Sequence, residues 1–214
     1  LCGCYFQGNE MTPKRVDAGS RQSQILDAAA TVFAQKGFGR TRMDDIAAEA
    51  ELCKGSLYLY FDSKEAMIIA LLGRVFHSHE AQMEALVCMH DMKASDRVML
   101  FVRTVAQQIV QLADLMRVSY QFFSMGSENK EVERHMKEYF VTYRTTMAKI
   151  FQAGIDEGEF CDWGSEQMAT ALIALLEGVG LLWLADPEDI AIETTLEQTT
   201  SMLLAGMGRE AQLA

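Results

Sequence analysis

One stretch, Thr41 to Phe61 (TRMDDIAAEAELCKGSLYLYF), constrains what this chain can fold into more than any other. Thr41 is a candidate N-cap, with Asp44 and Asp45 in the turn that follows, where negative charge suits a helix dipole. Met43, Ile46, Ala47 and Ala50 give one apolar face of a short helix that ends near Ala50. A tight connection, Glu51-Leu52-Cys53, leads into a second short helix from about Lys54 to Tyr60. Two short helices joined this closely are the helix-turn-helix pattern, whose second helix enters the major groove of DNA.

The second helix can be sorted by angle, at about 100° per residue. Leu57 and Phe61 fall nearly above one another and face a core. Gly55 and Leu59 point the opposite way, with Ser56 and Tyr58 on the flanks. Lys54 and Tyr60 lie nearer the core side, where long side chains still reach a phosphate. An outward face of glycine, serine, tyrosine and leucine rimmed by lysine makes a poor solvated surface and a good groove surface. The plainer alternative is an amphipathic helix pair inside some other α-domain.

The residues FGRTRMDDIAAEAELCKGSLYLYFDSKEAM resemble the DNA-binding signature of the tetracycline-repressor (TetR/AcrR) family over about a quarter of the chain. The matching parts are Gly37, Thr41, Ile46-Ala47, Lys54-Gly55-Ser56-Leu57-Tyr58, Tyr60-Phe61 and Ser63-Lys64-Glu65. Two positions depart from the family pattern, which has glycine where Glu51 stands and serine or threonine where Cys53 stands. A non-glycine residue in a left-handed turn costs about 1–2 kcal/mol, and a lost oxygen cap costs about 1 kcal/mol. The turn is therefore expected to be somewhat strained or slightly rearranged. Cys53 also sits where a helix N-terminus and Lys54 favour a thiolate.

The net charge of −11 looks wrong for a DNA binder until it is divided. From Met11 to Arg74 the chain carries nine Lys/Arg against eight Asp/Glu, and from Val75 onward ten against twenty-one. The acidity belongs to the second region. The first keeps clustered cations at Lys14, Arg15, Arg21, Arg40, Arg42, Lys54 and Lys64, and a locally basic face is what phosphate contact requires. Residues 1–10 (LCGCYFQGNE) read as a probable tag remnant, with the natural chain starting at Met11. The remaining cysteines, Cys53, Cys88 and Cys161, are widely spaced and suit a reducing cytoplasm rather than a disulfide framework.

Only two prolines and no run of alternating β-branched residues predict an all-α protein. A basic arm, Thr12 to Gly19, precedes a helix from Ser20 to about Lys36 with Ile25, Leu26, Ala29, Val32 and Phe33 as its buried stripe. Ser63 caps a long helix to about His90 whose seam is Leu72, Phe76, His79, Met83, Leu86 and His90. His79 and His90 are separated by about 16 Å of helix and cannot share a metal. Ser95 caps the next helix, with its seam running from Val98 to Met116, followed by an aromatic group at Tyr120, Phe122 and Phe123. Another helix, about Asn129 to Asp156, ends at the turn GIDEGEF, which also resembles the family.

Ser165 to Ala185 is apolar all round, with Glu177 the only charge after Met168. Such a helix is buried on every side, in a core, an oligomer or a membrane. The interruptions at Thr170, Glu177, Gly178 and Gly180 argue against a span, and a dimer interface with the last helix (Pro187–Met207) fits better.

The resemblance implies a helix-turn-helix DNA-binding domain at 11–62 and a helical ligand-binding and dimerisation domain at 63–214. It implies a homodimeric repressor released from a palindromic operator by a small-molecule inducer. Thr41, Lys54, Tyr60 and Lys64 would hold phosphates, while Arg42, Gly55, Ser56, Tyr58 and Leu59 would meet base edges or methyl groups. Phe76, His79, Met83, Met116, Tyr120, Phe123, Tyr143 and Met147 are candidate walls of an effector cavity. Their methionine and aromatic content points to an apolar or aromatic ligand, although such a stripe is also ordinary core. No catalytic motif, cofactor fingerprint or metal spacing is present in the sequence. The alternative is a helical interaction module of the same fold without sequence-specific DNA binding.

Overall fold

The computed structural model describes residues 18–124 and 130–208. Its elements are α1 (Ala18–Lys36), α2 (Met43–Glu49), α3 (Lys54–Tyr58), α4 (Lys64–Val87), α5 (Ala94–Gln111), α6 (Ala113–Ser124), α7 (Lys130–Asp156), α8 (Ser165–Ala185) and α9 (Ile192–Met207). The all-α class read from the sequence is the class observed, with one isolated bridge between Phe160 and Gly208 among the described residues. The expected tag remnant and the basic arm as far as residue 17 lie outside the described residues; Ala18 and Gly19, assigned to that arm, already belong to α1.

Two cores share α4 and α7. The first is built on the expected stripe of α1, where Ile25, Leu26, Ala29, Val32 and Phe33 are all buried against Ile46, Leu57, Met67, Ile68 and Leu71. The large apolar side chains among them stabilise the fold by about 1.5–3 kcal/mol each. The second core holds Met83 and Leu86 from the far half of α4, together with α5, α7, α8 and α9. At about 1.5 Å per residue, α4 is a rod of about 36 Å reaching from one core into the other. Ser63 caps it as expected, accepting the Ala66 N–H at 3.1 Å.

Several boundaries differ from expectation. The N-cap of α2 is Arg42, not Thr41; the Asp45 carboxylate accepts the Arg42 N–H at 2.9 Å and ties the first turn from inside. The helix starting at Lys54 ends at Tyr58 rather than Tyr60, and α4 stops at Val87, leaving His90 exposed in the following turn. The single helix expected through Met116 breaks at Leu112 (φ −111°, ψ 23°) into α5 and α6. Neither glycine nor proline marks that break. Ser95 is not the N-cap of α5, which is Lys93. The cap comes from afar: the Glu159 carboxylate accepts the Ala94 N–H at 2.8 Å, the Ser95 N–H at 3.3 Å and the Ser95 hydroxyl. Glu159 stands in the GIDEGEF turn, where Gly158 takes φ +77° to leave α7. The last helix begins at Ile192 rather than Pro187.

α8 matches its expected limits and has the length and apolarity to cross a membrane, but here it packs along α7 and α9. Its inner side, including Leu172, Leu176 and Leu184, is buried. Its outer side is not: Leu181 is 51% and Leu182 60% exposed, and Met202 on α9 is 73% exposed.

Candidate nucleic-acid interface and effector cavity

The turn between α2 and α3 carries local backbone strain. Glu51 takes φ +56°, the left-handed conformation expected there. Cys53 is the N-cap of α3 without a side-chain cap bond; its Sγ lies 3.0 Å from the Ser56 Oγ. That contact with Ser56, first through its hydroxyl and then its backbone N–H, lowers the exposed thiol's pKa. Leu57 is fully buried and locks α3 onto the first core. With Leu57 turned inward, the opposite face is presented: Leu59 is 82% exposed and Tyr58 43%. A methyl built onto Gly55 would meet nothing within 4 Å, so another molecule can approach the backbone there.

Thr41, Arg42, Lys54, Tyr58 and Lys64 surround one open depression, together with Asp44, Asp62, Ser63 and Glu65. Its two lysines are already engaged. Lys54 pairs with Asp44 at 2.8 Å, which raises its pKa. Lys64 reaches back over the Phe38 ring at 4.5 Å and donates to the carbonyls of Phe38 (2.8 Å) and Thr41 (3.3 Å). It thereby clamps the turn between α1 and α2 to the start of α4. Thr41 is buried, with its hydroxyl donating to the Gly37 carbonyl at 2.8 Å. Ser56 and Tyr60 are half-buried, and Tyr60 packs against the first core. Asp45 accepts from Lys36 at 2.8 Å and from the Arg42 N–H, and the Lys36 bond leads in holding its pKa down.

Inside the body, α4, α5, α6, α7 and α8 enclose a cavity of about 50 Å³. Of the residues expected to line it, Phe76, His79, Met116, Tyr120 and Tyr143 do so. Met83 lines a second cavity of about 170 Å³ between α4 and α7, and Met147 is fully buried in the core. The Phe123 side chain lies outside the described residues. The two cavities share Leu72, Phe76, Tyr139 and Tyr143 as a wall. Within that wall Phe76 of α4 and Tyr139 of α7 are stacked, with ring centroids 3.6 Å apart and planes 18° from parallel.

Sequence reading missed the polar half of the inner cavity. The Tyr120 hydroxyl donates to the Glu177 carboxylate at 2.9 Å, and Gln108 pairs with His79 through its side-chain oxygen. Burial raises the Glu177 pKa, only partly offset by the Tyr120 bond, and lowers that of His79. Burial also raises the pKa of Tyr120, Tyr139 and Tyr143, with the Glu177 charge adding to the effect. The available signal was the lone charge of Glu177 in an otherwise apolar helix.

Residues 25–71 match the family described as bacterial regulatory proteins, tetR family, and residues 94–207 match the C-terminal region of BetI-type transcriptional repressors. The transcriptional repressor KstR2 of Rhodococcus jostii is 25% identical over 202 residues, covering 92% of this chain and 98% of its own. A TetR transcription regulator from Haloarcula marismortui has the same fold, with TM-score 0.79 at 18% identity over 89% of this chain and all of that one. So does the regulator FadR of Bacillus subtilis in complex with stearoyl-CoA, with TM-score 0.75 at 20% identity over 86% of this chain and 98% of that one.

Proposed function

The chain belongs to the tetR family of bacterial regulatory proteins and is a DNA-binding transcriptional regulator, and from that premise we propose that it is a cytoplasmic homodimeric repressor released from a palindromic operator by an apolar or aromatic small molecule. The observation that carries this reading is the outward face of α3. A leucine that is 82% exposed beside an exposed tyrosine and an unobstructed glycine is a surface suited to contact with thymine methyls and base edges. Arg42, Ser56, Tyr58 and Leu59 then read sequence. Lys54 and Lys64 hold phosphates by exchanging their internal partners for the backbone, with Tyr60 at the edge and Thr41 acting through its position in the turn.

The dimer is built on the outer faces of α8 and α9. Leu181, Leu182 and Met202 supply the apolar area, and the exposed Ala174 and Gly178 let a partner helix approach closely. Leu176 is only 4% exposed and belongs to the cavity wall. In the FadR complex a small molecule is bound within the same fold. Here a ligand as large as two aromatic rings needs both cavities, and joining them parts Phe76 from Tyr139. Because Phe76 rides on α4, that step moves the rod whose other end carries Ser63 and Lys64. The spacing of the two reading helices in the dimer changes with it.

Selection of bound duplexes from a random pool tests this. A two-fold symmetric consensus with half-sites about one helical turn or somewhat more apart is expected. No enrichment would favour an interaction module that has lost DNA reading, the reading to which the strained turn at Glu51 lends weight.

A further inference from the structure

We propose that the effector carries a protonated amine on its apolar body, the ammonium group seated at Glu177 among the rings of Tyr120, Tyr139 and Tyr143. The inference rests on the inner cavity being the effector site and adds the charge of its ligand. Among the described residues, Glu177 is the only charged side chain lining that cavity, and no lysine or arginine lines it. Among the described residues its carboxylate accepts one hydrogen bond, from the Tyr120 hydroxyl, and pairs with no cation. A carboxylate held this way has capacity for further donors.

A second group points to the same chemistry. His79 is 8% exposed, and its Nδ1 is buried without a partner among the described residues. Its Nε2 faces the Gln108 side-chain oxygen, so Nε2 carries the proton and Nδ1 is left as a lone-pair acceptor. Burial, which favours the uncharged ring, agrees with that tautomer. The unfilled capacity lining the cavity is therefore on the acceptor side, at Glu177, with the His79 Nδ1 acceptor buried in the wall beside it. Around it stand the aromatic rings of Tyr139 and Tyr143, 5.4 Å apart, with Phe76 stacked on Tyr139. Ring faces attract a cation, and in a site screened from water the attraction is stronger. An anionic ligand finds the opposite: a like charge and no donor of matching sign. An acyl chain ending in a carboxylate would have to place that group away from Glu177.

Three probes with one hydrocarbon body separate the possibilities: 4-phenylbutylamine, pentylbenzene and 5-phenylpentanoate, titrated calorimetrically into the full-length protein. The amine is expected to bind the wild type at least about tenfold more tightly than either companion. Glu177→Gln keeps the shape and the Tyr120 bond and should bring amine and hydrocarbon within about twofold of each other, with pentylbenzene affinity unchanged. Tyr120→Phe removes the competing donor and should preserve the amine's advantage. Equal or tighter binding of pentylbenzene or 5-phenylpentanoate to the wild type overturns the amine and leaves the cavity an effector site. Undiminished amine binding by Glu177→Gln overturns it too. If no probe binds a protein that still binds its selected duplex, the effector reading falls and the amine with it.

Discussion

The DNA-binding head and the effector body solve opposite problems with the same kind of helix. In the head, α1, α2 and α3 close a core with the start of α4 and with Val118, Val132 and Met136 from α6 and α7, and the proposed reading groups are on the outside: Gly55 and Tyr58 on α3 and Leu59 at its C-cap. In the body the helices leave space between them, and the proposed effector-binding groups are inside, at Glu177, His79 and Tyr120. A closed core gives a reading surface that does not deform. An incompletely filled core gives an interior that can be rearranged by what enters it. α4 belongs to both, with Met67 and Ile68 in one core and Met83 and Leu86 in the other, and it is the element through which the proposed effector mechanism would reach the head.

The largest expected effect breaks the body's outer face. Leu182→Glu puts a charge where the partner's helix would bury it, at a cost of about 3 kcal/mol or more. Sedimentation should show monomers at micromolar concentration, and operator binding should fall with dimerisation. A dimer of undiminished stability would place the interface elsewhere.

The head should separate stability from function in both directions. Gly55→Ala meets no neighbour and improves helix propensity, so thermal stability should hold or rise by up to about 1 kcal/mol. The added methyl stands on the reading face, and operator affinity should drop about tenfold or more. Glu51→Gly does the reverse. It relieves a φ of +56° and should raise stability by about 1–2 kcal/mol while leaving operator preference as it was. Chemical denaturation beside a gel-shift titration reads both quantities on each variant.

The smallest effect is a pH dependence located in the body. Burial raises the Glu177 pKa in the folded protein, so between the ordinary carboxyl pKa and the raised one the fold holds a proton that the unfolded chain has released. Stability attributable to this group is highest below that window and falls as pH rises through it. Glu177→Gln should therefore match the wild type at about pH 4 and gain on it in Tm towards pH 8. A gap that does not change with pH would mean Glu177 titrates normally.

The same contrast explains how much could be read from sequence. The head is local: its helix pair and its inward Leu57 and outward Leu59 follow from twenty-one consecutive residues, and the family resemblance adds the strained turn at Glu51. Even there, tertiary contacts changed the details. Lys64 is held by the carbonyls of the α1–α2 turn, and Thr41 is buried beneath it. The body is non-local. Periodicity found the apolar faces of α4 and α7, but Gln108, Tyr139 and Glu177 come together only when five helices close around them. The break at Leu112 and the capping of α5 by Glu159 have the same origin, since both depend on partners distant in the chain.

The most direct test of a reading surface on α3, with phosphate contacts at its rim, compares two variants on the selected operator across a salt series. Tyr58→Ala should change the preference among operator variants and leave the slope of log affinity against log salt unchanged. Lys64→Met should weaken every duplex alike and flatten that slope by about one unit. It should also lower thermal stability, because the clamp onto Phe38 and Thr41 is lost. The same sequence-blind loss from both variants would contradict the division between reading face and phosphate rim.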